Sequence, residues 1–466
     1  MRAHGTPPTV GIVGAGLAGT LTAVQLLRAA PGPLRVLLVE RTARFGPGVA
    51  YGTPDKRHLL NVPAERMSAF PDDPGHFARW AEARLGPLPA GSYLPRPLYG
   101  AYVRSVLGEA ERSAARGRAI ERVEGEGVDA RVEPGGVRLQ LADGRTEVCD
   151  QVVLALGSPR CPRPDFLPDD PRVVLDPWAP GALDEPPATT LVLGAGLTAV
   201  DVALSACDTS PAARVVSVSR RGRLPFAHLP GLRDPAPPPA LPPGPLTVET
   251  LELLLTEHIA AMRDRGHDWR DVVDGLRPHV SELWARMDET ERRRFLEHRH
   301  RAWEVRRHRM APDVAWRLAA LCSQDRFATH AGTAVGARAD RDALAVDLGK
   351  GAQPLRAGRV VVCTGLMMDV TRTTDPLLRT LLASGRAVPD PLGLGLRTGP
   401  DGALLDDDGR PSRRLFTLGA LRRGDLWEST AAGEIRAQAH ALAARLAPSL
   451  HQHGRMVPAS GSRAVA

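Results

Sequence analysis

The chain has 466 residues, 43% of them hydrophobic, which is enough for a globular protein of two or three domains. A net charge of +7 does not mark a nucleic-acid or membrane binder here, because 58 of the 60 basic residues are arginine and the excess is spread over the whole length. No stretch approaches the roughly 18 continuous apolar residues of a membrane span and no apolar signal region precedes the first strand, so a cytoplasmic location is expected. The five cysteines (Cys149, Cys161, Cys207, Cys322, Cys363) are scattered, without CxxC and without a histidine at metal spacing. That argues against disulfide-reductase chemistry and structural zinc, and no metal site is expected.

The chain begins with TVGIVGAG, apolar and β-branched, followed by LAGTLTAVQLLRAA with helical spacing and by a second strand, LRVLLVE. This is a βαβ unit with a glycine fingerprint in its first turn. Gly14 permits the tight turn, Gly16 lets the backbone approach a pyrophosphate, and Gly19 lets helix and strand pack closely. Amide groups at the helix N-terminus then face the phosphates. Glu40 ends the second strand, where a carboxylate accepts hydrogen bonds from an adenosine ribose.

Further on, VRLQLADGRTEVCDQVVLALGS reads as a hairpin leading into a buried strand that ends in Ala155, Leu156 and Gly157. The fingerprint then returns at 189–220, as TTLVLGAG, LTAVDVALSAC and RVVSVSR, with Gly194, Gly196 and Ala199 in the three positions. The two copies differ at the second strand end. Arg220 follows Gly194 at the same spacing as Glu40 follows Gly14, so the two side chains occupy equivalent positions. Ser219, Arg220, Arg221 and Arg223 cluster there, suited to grip a ribose 2′-phosphate that a carboxylate would repel. Two unlike dinucleotides are therefore expected: a resident FAD at the first site and NADPH at the second.

Proline-rich LRDPAPPPALPPGPLT at 232–247 reads as an extended surface linker. Helical patterns fill 245–325, and LGKGAQPLRAGRVVVCTGL repeats the shape of the earlier hairpin, ending in Cys363, Thr364 and Gly365. The chain closes with a strand, a loop and a long helix over RLFTLGALRRGDLWESTAAGEIRAQAHALAARL. The expected organisation is α/β with two Rossmann-like dinucleotide-binding domains. An FAD-binding domain (1–185 and 360–450) is split around an NADPH-binding domain (186–230 and 326–359), with a helical insertion at 245–325 and a disordered tail at 451–466.

Several segments resemble the bacterial FAD/NAD(P)-binding family among the two-dinucleotide-binding-domain flavoproteins. They are VGIVGAGLAG, FGPGVAYGTPDKRHLLNVPAERMSAFPDDPGHFARWAE at 45–82, LPRPLYGAYV at 94–103, RRHRMAP at 306–312 and LFTLGALRRGDLWESTAAGEIRAQA at 415–439. The chain is more distantly similar to the class B flavin monooxygenases, including the amine N-hydroxylases. The resemblance implies the split FAD domain, and implies that the strands ending ALG and CTG are the two crossings between domains. It places Gly46, Gly48, Tyr51 and Asn61 near the pyrophosphate and flavin ring, Gly419 by the ribityl chain, and Ser429 and Thr430 at the start of the last helix. A helix N-terminus directed at the flavin would favour the reduced anion.

The basic run FLEHRHRAWEVRRHRM puts Arg299, Trp303, Arg307 and Met310 on one helical face, with Arg306 beside them. Three readings stand: a solvated helix whose arginines pair with Glu297 and Glu304, a contact to NADPH phosphates or an anionic substrate, or nucleic acid, for which no binding motif surrounds the run. His298, His300 and His308 are too irregularly spaced for a metal. No nucleophile–base arrangement is evident, so Asn61 and Arg307 are the candidates near the chemistry. The expected activity is NADPH-dependent flavin monooxygenation of a small polar substrate, an amine or an anion, with molecular oxygen and without nucleic acid or a membrane span. A flavin reductase passing electrons to another acceptor, or a non-catalytic flavin module, are the alternatives.

Overall fold

Strand Thr9–Val13 is buried at every position, as a strand covered on both faces must be. It is central in a six-stranded sheet ordered Ala403–Leu405, Pro411–Thr417, Gln151–Leu154, Thr9–Val13, Leu34–Glu40, Arg118–Glu124, parallel throughout except for the first pair. The computed structural model describes residues 7–159, 162–349, 351–365 and 367–452. On one face of the sheet, Val10, Ile12, Val36 and Leu38 pack under the helices Leu17–Ala29, Arg96–Arg112 and Ala432–Gln452. On the other, Val13, Leu37, Val39 and Leu154 meet the antiparallel sheet of Gly127–Glu133, Gly136–Leu141 and Thr146–Cys149, together with helix Pro376–Ala383. Period-two alternation along the strands feeds two apolar layers, which is why they read as nearly continuous hydrophobic runs.

A second sheet repeats the plan, parallel throughout, in the order Phe327–Ala331, Arg214–Ser219, Thr189–Leu193, Arg359–Val362, Val173–Val174. Val192, Val215 and Val361 pack on Val200 and Leu204 of helix Leu197–Thr209, while Leu191, Leu193 and Val218 pack on Leu344 and Val346 of a second small antiparallel sheet. Its strand Arg359–Val362 runs past residue 360, where return to the first unit was expected. Helix Pro312–Ser323, expected within the insertion, buries Val314, Leu318 and Leu321 in this unit's core and leads into strand Phe327–Ala331.

The remaining helices between the two halves of the second sheet are Val248–Arg263, Trp269–Leu276, Val280–Ala285, Glu289–His298 and His300–Arg307. The proline-rich stretch before them is mostly exposed but pinned at Ala236, whose amide donates to Asp271 O at 2.9 Å. Of the tail expected to be disordered, 451 and 452 belong to the last helix, and 453–466 lie outside the described residues. Among the described residues no helix is long and apolar enough to cross a membrane.

Candidate functional site

Gly14 has φ +100°, open to glycine at little cost, and a Cβ there would strike the carbonyl of Ala155. Gly19 lies against the carbonyl of Gly14, so helix and strand approach as closely as the fingerprint requires. Gly16 caps helix Leu17–Ala29 without a side-chain hydrogen bond, and the first turn holds no acid, which leaves the leading amides open to an anion. Residues 46–48 close this cradle: Gly46 N donates to Ala15 O at 2.8 Å, and a Cβ on Gly16 would lie 3.3 Å from Gly48 Cα. Glu40 reaches the same loop, its Oε2 accepting from Ala15 N at 2.9 Å and its Oε1 from the Thr42 hydroxyl at 3.0 Å.

Gly419, at φ +77°, borders the first turn of helix Leu17–Ala29, with Ala18 Cβ 3.9 Å and Ser429 O 4.0 Å from where its own Cβ would stand. Its amide donates to Gln438 Oε1 at 3.0 Å. Ser429 is fully buried, and among the described residues its hydroxyl has no hydrogen-bond partner. Buried polar groups are rarely left unsatisfied, and the Ser429 backbone lies beside Gly419, so this hydroxyl is available to a polar group from outside the chain. Ser429 and Thr430 precede the last helix, which starts at Ala432, rather than opening it. Tyr51 stacks edge-on to Tyr99 at 4.6 Å, and burial pushes its hydroxyl up to about 12, so it stays protonated as a donor. Asn61 stands apart from the cradle in the hydrogen-bond network: its carbonyl accepts from His228 Nε2 at 3.1 Å.

The second loop repeats the first. Gly194 (φ +123°) presses on the carbonyl of Cys363 as Gly14 presses on Ala155, so each glycine loop rests against one crossing strand, ALG or CTG. Gly365 carries φ +93° at the end of that crossing. Gly196 caps helix Leu197–Thr209 without a side-chain bond. Among the described residues a Cβ on Gly196 would meet nothing within 4 Å, and its φ of −88° is open to any residue, so no contact among them demands a glycine here. Open space before an uncapped helix N-terminus is what close approach of a phosphate needs.

Ser219 is half-buried and fixes the turn after its strand, its carbonyl accepting from Gly222 N and Gly332 N. Arg220, Arg221 and Arg223 are exposed, and none makes an ion pair among the described residues. Arg220, in register with Glu40, does not touch the loop as Glu40 does. The second loop is met instead by Arg301, which bonds the carbonyl of Ala195 rather than its amide: Nη2 donates to Ala195 O at 3.1 Å and to Arg223 O at 2.8 Å. Ala195 is the counterpart of Ala15, so the central residue of each GAG loop is bonded by an acidic or basic side chain, Glu40 at the amide of one and Arg301 at the carbonyl of the other.

Arg301 comes from the basic run, which differs from the single amphipathic face expected. The helix breaks at Arg299 into Glu289–His298 and His300–Arg307. Arg299 is exposed and pairs with Glu252, Arg306 lies over the Phe226 ring at 5.5 Å, and Met310 falls beyond the helix. Arg307 is 4% exposed, its Nη2 3.3 Å from Glu428 Oε2 and 3.2 Å from Glu434 Oε1. Trp303 donates to Glu428 at 2.9 Å, and Arg277 reaches Glu434 at 2.8 Å. Burial works against ionisation of Glu304, yet the His300 hydrogen bond and Arg423 hold it down at about 2. Between these pairs Trp427 adopts φ +59°, strained for a bulky residue, and is held by stacking on Trp284 at 4.9 Å and by Arg423 at 4.4 Å. One short helix thus touches the second glycine loop at its start and the approach to the last helix at its end.

Residues 11–159 match the FAD-NAD(P)-binding family. No curated protein matches the chain in sequence. Among solved structures, the reduced form of ornithine hydroxylase from Pseudomonas aeruginosa is 16% identical with a TM-score of 0.62, covering 96% of this chain and 99% of that one. The ornithine N-hydroxylase of Kutzneria sp. 744, described with reduced FAD, NADP+ and L-ornithine, is also 16% identical with a TM-score of 0.62 over 96% and 99% of the two chains. Bacillithiol disulfide reductase from Bacillus cereus has 14% identity and a TM-score of 0.54 over 95% and 99%. At these identities the likeness establishes the shared two-dinucleotide-domain fold.

Proposed function

We propose that this chain, with its FAD-NAD(P)-binding domain at 11–159 and the fold of the N-hydroxylating flavoproteins, is an NADPH-dependent flavin monooxygenase acting on a small polar substrate, an amine by preference. The observation that carries the reading is the pair of equivalent glycine loops bearing opposite charge, Glu40 on Ala15 and Arg301 on Ala195. A carboxylate suits an unphosphorylated ribose and a guanidinium suits a phosphorylated one, so the two loops take different dinucleotides.

In this reading Gly14, Gly16 and Gly19 present helix amides to the FAD pyrophosphate, Gly46 and Gly48 close over it, and Glu40 turns from Ala15 to the adenosine ribose. The Ser429 hydroxyl and the start of the last helix face the flavin, with Gly419 and Thr430 beside them. Tyr51 donates as a neutral phenol, and Asn61 borders the open face. Gly194 and Gly196 hold the NADPH pyrophosphate, Ser219, Arg220 and Arg221 hold its adenosine end, and Gly365 closes the crossing. When bound, FAD supplies the two-electron chemistry and the activation of oxygen, with electrons drawn from NADPH. Arg307, Glu428 and Glu434 tie helix His300–Arg307 to the approach to the last helix, and the Trp284, Phe295 and Trp427 rings pack together beside them. The enzyme works in the cytoplasm on a small molecule with oxygen, and neither a nucleic acid nor a membrane has a part.

Reduction of a disulfide, the chemistry named for one structural neighbour, is disfavoured by the cysteines. Cys363 lies on the second crossing, but burial pushes its thiol up to about 12, which withholds the thiolate. Passing electrons to a small acceptor such as a quinone is the second reading. Flavin-loaded protein assayed for NADPH and oxygen consumption over a panel of amines and amino acids decides between them. The monooxygenase reading requires one substrate that accelerates NADPH oxidation and yields a hydroxylated product; turnover with quinones and no hydroxylated product overturns it.

A further inference from the structure

We propose that a stripe of three side chains on helix Leu197–Thr209, with Ser205 at its centre, positions the second glycine loop against the first and so sets the rate at which electrons pass between the two dinucleotides. The inference rests on the reading that the first loop takes FAD and the second NADPH. Ser205 lies about 13 Å along the helix from Gly196, too far to meet a phosphate there, and is a positioning residue.

Asp201, Ser205 and Thr209 recur at helical spacing and share one face of the helix. Each is met by the first unit. Asp201 pairs with Arg96 at 2.8 Å, and Arg96 is itself fixed by its Nε donating to Leu59 O at 3.1 Å and its amide donating to His58 O at 2.8 Å. Ser205 belongs to a closed ring of hydrogen bonds with the buried Thr53 and His58. Its hydroxyl donates to Asp55 Oδ2 at 2.6 Å, so its oxygen accepts from His58 Nε2 at 2.8 Å. The other ring nitrogen then accepts from the Thr53 hydroxyl at 2.8 Å, and Thr53 Oγ1 accepts from Asp55 N at 3.2 Å. These directions hold with His58 neutral and Asp55 ionised. Burial lowers His58, and against burial the Arg57 and Ser205 hydrogen bonds keep Asp55 well below the usual carboxylate range. At the end of the stripe Thr209 accepts from Arg57 Nη1 at 3.3 Å, and Arg57 Nε donates to Asp55 Oδ1 at 2.8 Å.

The joint is continuous with both sites. Residues 53–59 follow closely on Gly46 and Gly48 of the first cradle, and helix Leu197–Thr209 starts at the second loop. Its outer end borders an open cleft of about 890 Å³, lined by Thr53, Arg57, Trp178, Ser205 and Thr209 among others, so on that side polar bonds rather than packing join the units. Directional bonds fix orientation as well as distance, and a misplacement of about 1 Å between reacting groups costs on the order of a hundredfold in rate.

The test uses full-length, flavin-loaded protein with Ser205→Ala, His58→Asn and His58→Gln, each checked for flavin content and thermal stability. Stopped-flow flavin reduction across NADPH concentrations gives a limiting rate and an apparent Kd, and hydrogen exchange follows residues 53–60 and 197–209 without any turnover. In Ser205→Ala the limiting rate should fall about tenfold while Kd stays within about twofold. Exchange should quicken in both segments together and stay unchanged in helix Leu17–Ala29. His58→Asn should behave alike, and His58→Gln, which keeps a donor at the reach of Nε2, should recover most of the rate. An unchanged limiting rate beside a lower melting temperature would make the ring a brace and overturn the proposal, as would a loss confined to Kd or a His58→Gln variant as slow as His58→Asn. A wild-type flavin that NADPH does not reduce removes the coenzyme reading, and the positioning role with it, even where exchange of the two segments proves linked.

Discussion

Gly194 lies so close to Cys363 that a methyl group on it would enter the carbonyl oxygen of the crossing strand. Its φ of +123° is also closed to other residues. Gly194→Ala therefore strains the second loop by about 1–3 kcal/mol, and NADPH-driven flavin reduction should slow by about tenfold or more while FAD content is kept. Gly196→Ala makes the complementary case. Among the described residues nothing opposes its methyl group, so the melting temperature should hold while coenzyme binding falls. Stopped-flow reduction set beside thermal melting separates the two; a Gly196→Ala variant that binds coenzyme normally would show that no phosphate approaches this loop.

The first loop should answer to Glu40. Its carboxylate holds an amide of the loop and the Thr42 hydroxyl, so Glu40→Ala removes both the loop's partner and the ribose's. FAD affinity should drop on the order of tenfold, visible as partly colourless protein that regains its spectrum with added FAD. Full flavin occupancy in the variant would place the adenosine elsewhere.

Much of this was legible because it is local. The glycines of both loops, the acid closing the strand after Gly14 and the hairpins before each crossing all follow from short-range pattern. Arg220 matched Glu40 in register, yet register counts positions along a strand and cannot report a side chain arriving from another element. Arg301 sat in a run already conspicuous for its arginines, but a uniform helical face did not distinguish it from Arg299, which ends on the surface with Glu252. The break at Arg299 separates the arginines that turn inward from those that do not; Arg299 pairs with Glu252 of helix Val248–Arg263, while Phe295 and His300 on either side of it meet the Trp427 ring. The burial of Arg307 between Glu428 and Glu434, carboxylates that arrive from near the end of the chain, is tertiary in the same way.

Three histidines make the fold sensitive to mild acid. Burial and then the guanidiniums of Arg309, Arg66 and Arg307 hold His228 down at about 3, against an ordinary value of 6.5. Burial likewise lowers His58 and His308. A histidine neutral in the fold binds fewer protons than in the unfolded chain below pH 6.5, so stability rises with pH across that window and is lost as pH falls. Each fully shifted group contributes up to about 1.4 kcal/mol per pH unit. Carboxylates such as Glu304, held at about 2, act only below about pH 4.5. Guanidinium titrations at pH 7.5 and 5.5 should show a clear loss of stability at the lower pH, reduced in His228→Asn. Equal stability at both pH values would mean that these rings are protonated in the fold.

Arg307 and Glu428 are both buried, and their contact is not the only one either makes. Arg307 also bonds Glu434, and Glu428 accepts from the Trp303 indole. Among the described residues Arg307 Nε and Glu434 Oε2 are left without hydrogen-bond partners, which argues for a cluster held for position rather than for stability alone. Removing the cation in Arg307→Met strands Glu428 and leaves Glu434 to Arg277, at a cost of about 3–5 kcal/mol. Glu428→Gln should cost less, since the amide still accepts from Trp303, and the double variant should recover part of the loss because no buried charge is stranded. If the cluster only braces the fold, denaturant stability will follow this pattern while the rate of flavin reduction in the folded fraction stays constant. If it positions the approach to the last helix, reduction or substrate-coupled oxygen use will fall in the double variant even where stability has returned. Arg307→Lys makes the distinction sharper, because it keeps the charge but cannot bridge two carboxylates with a planar fork.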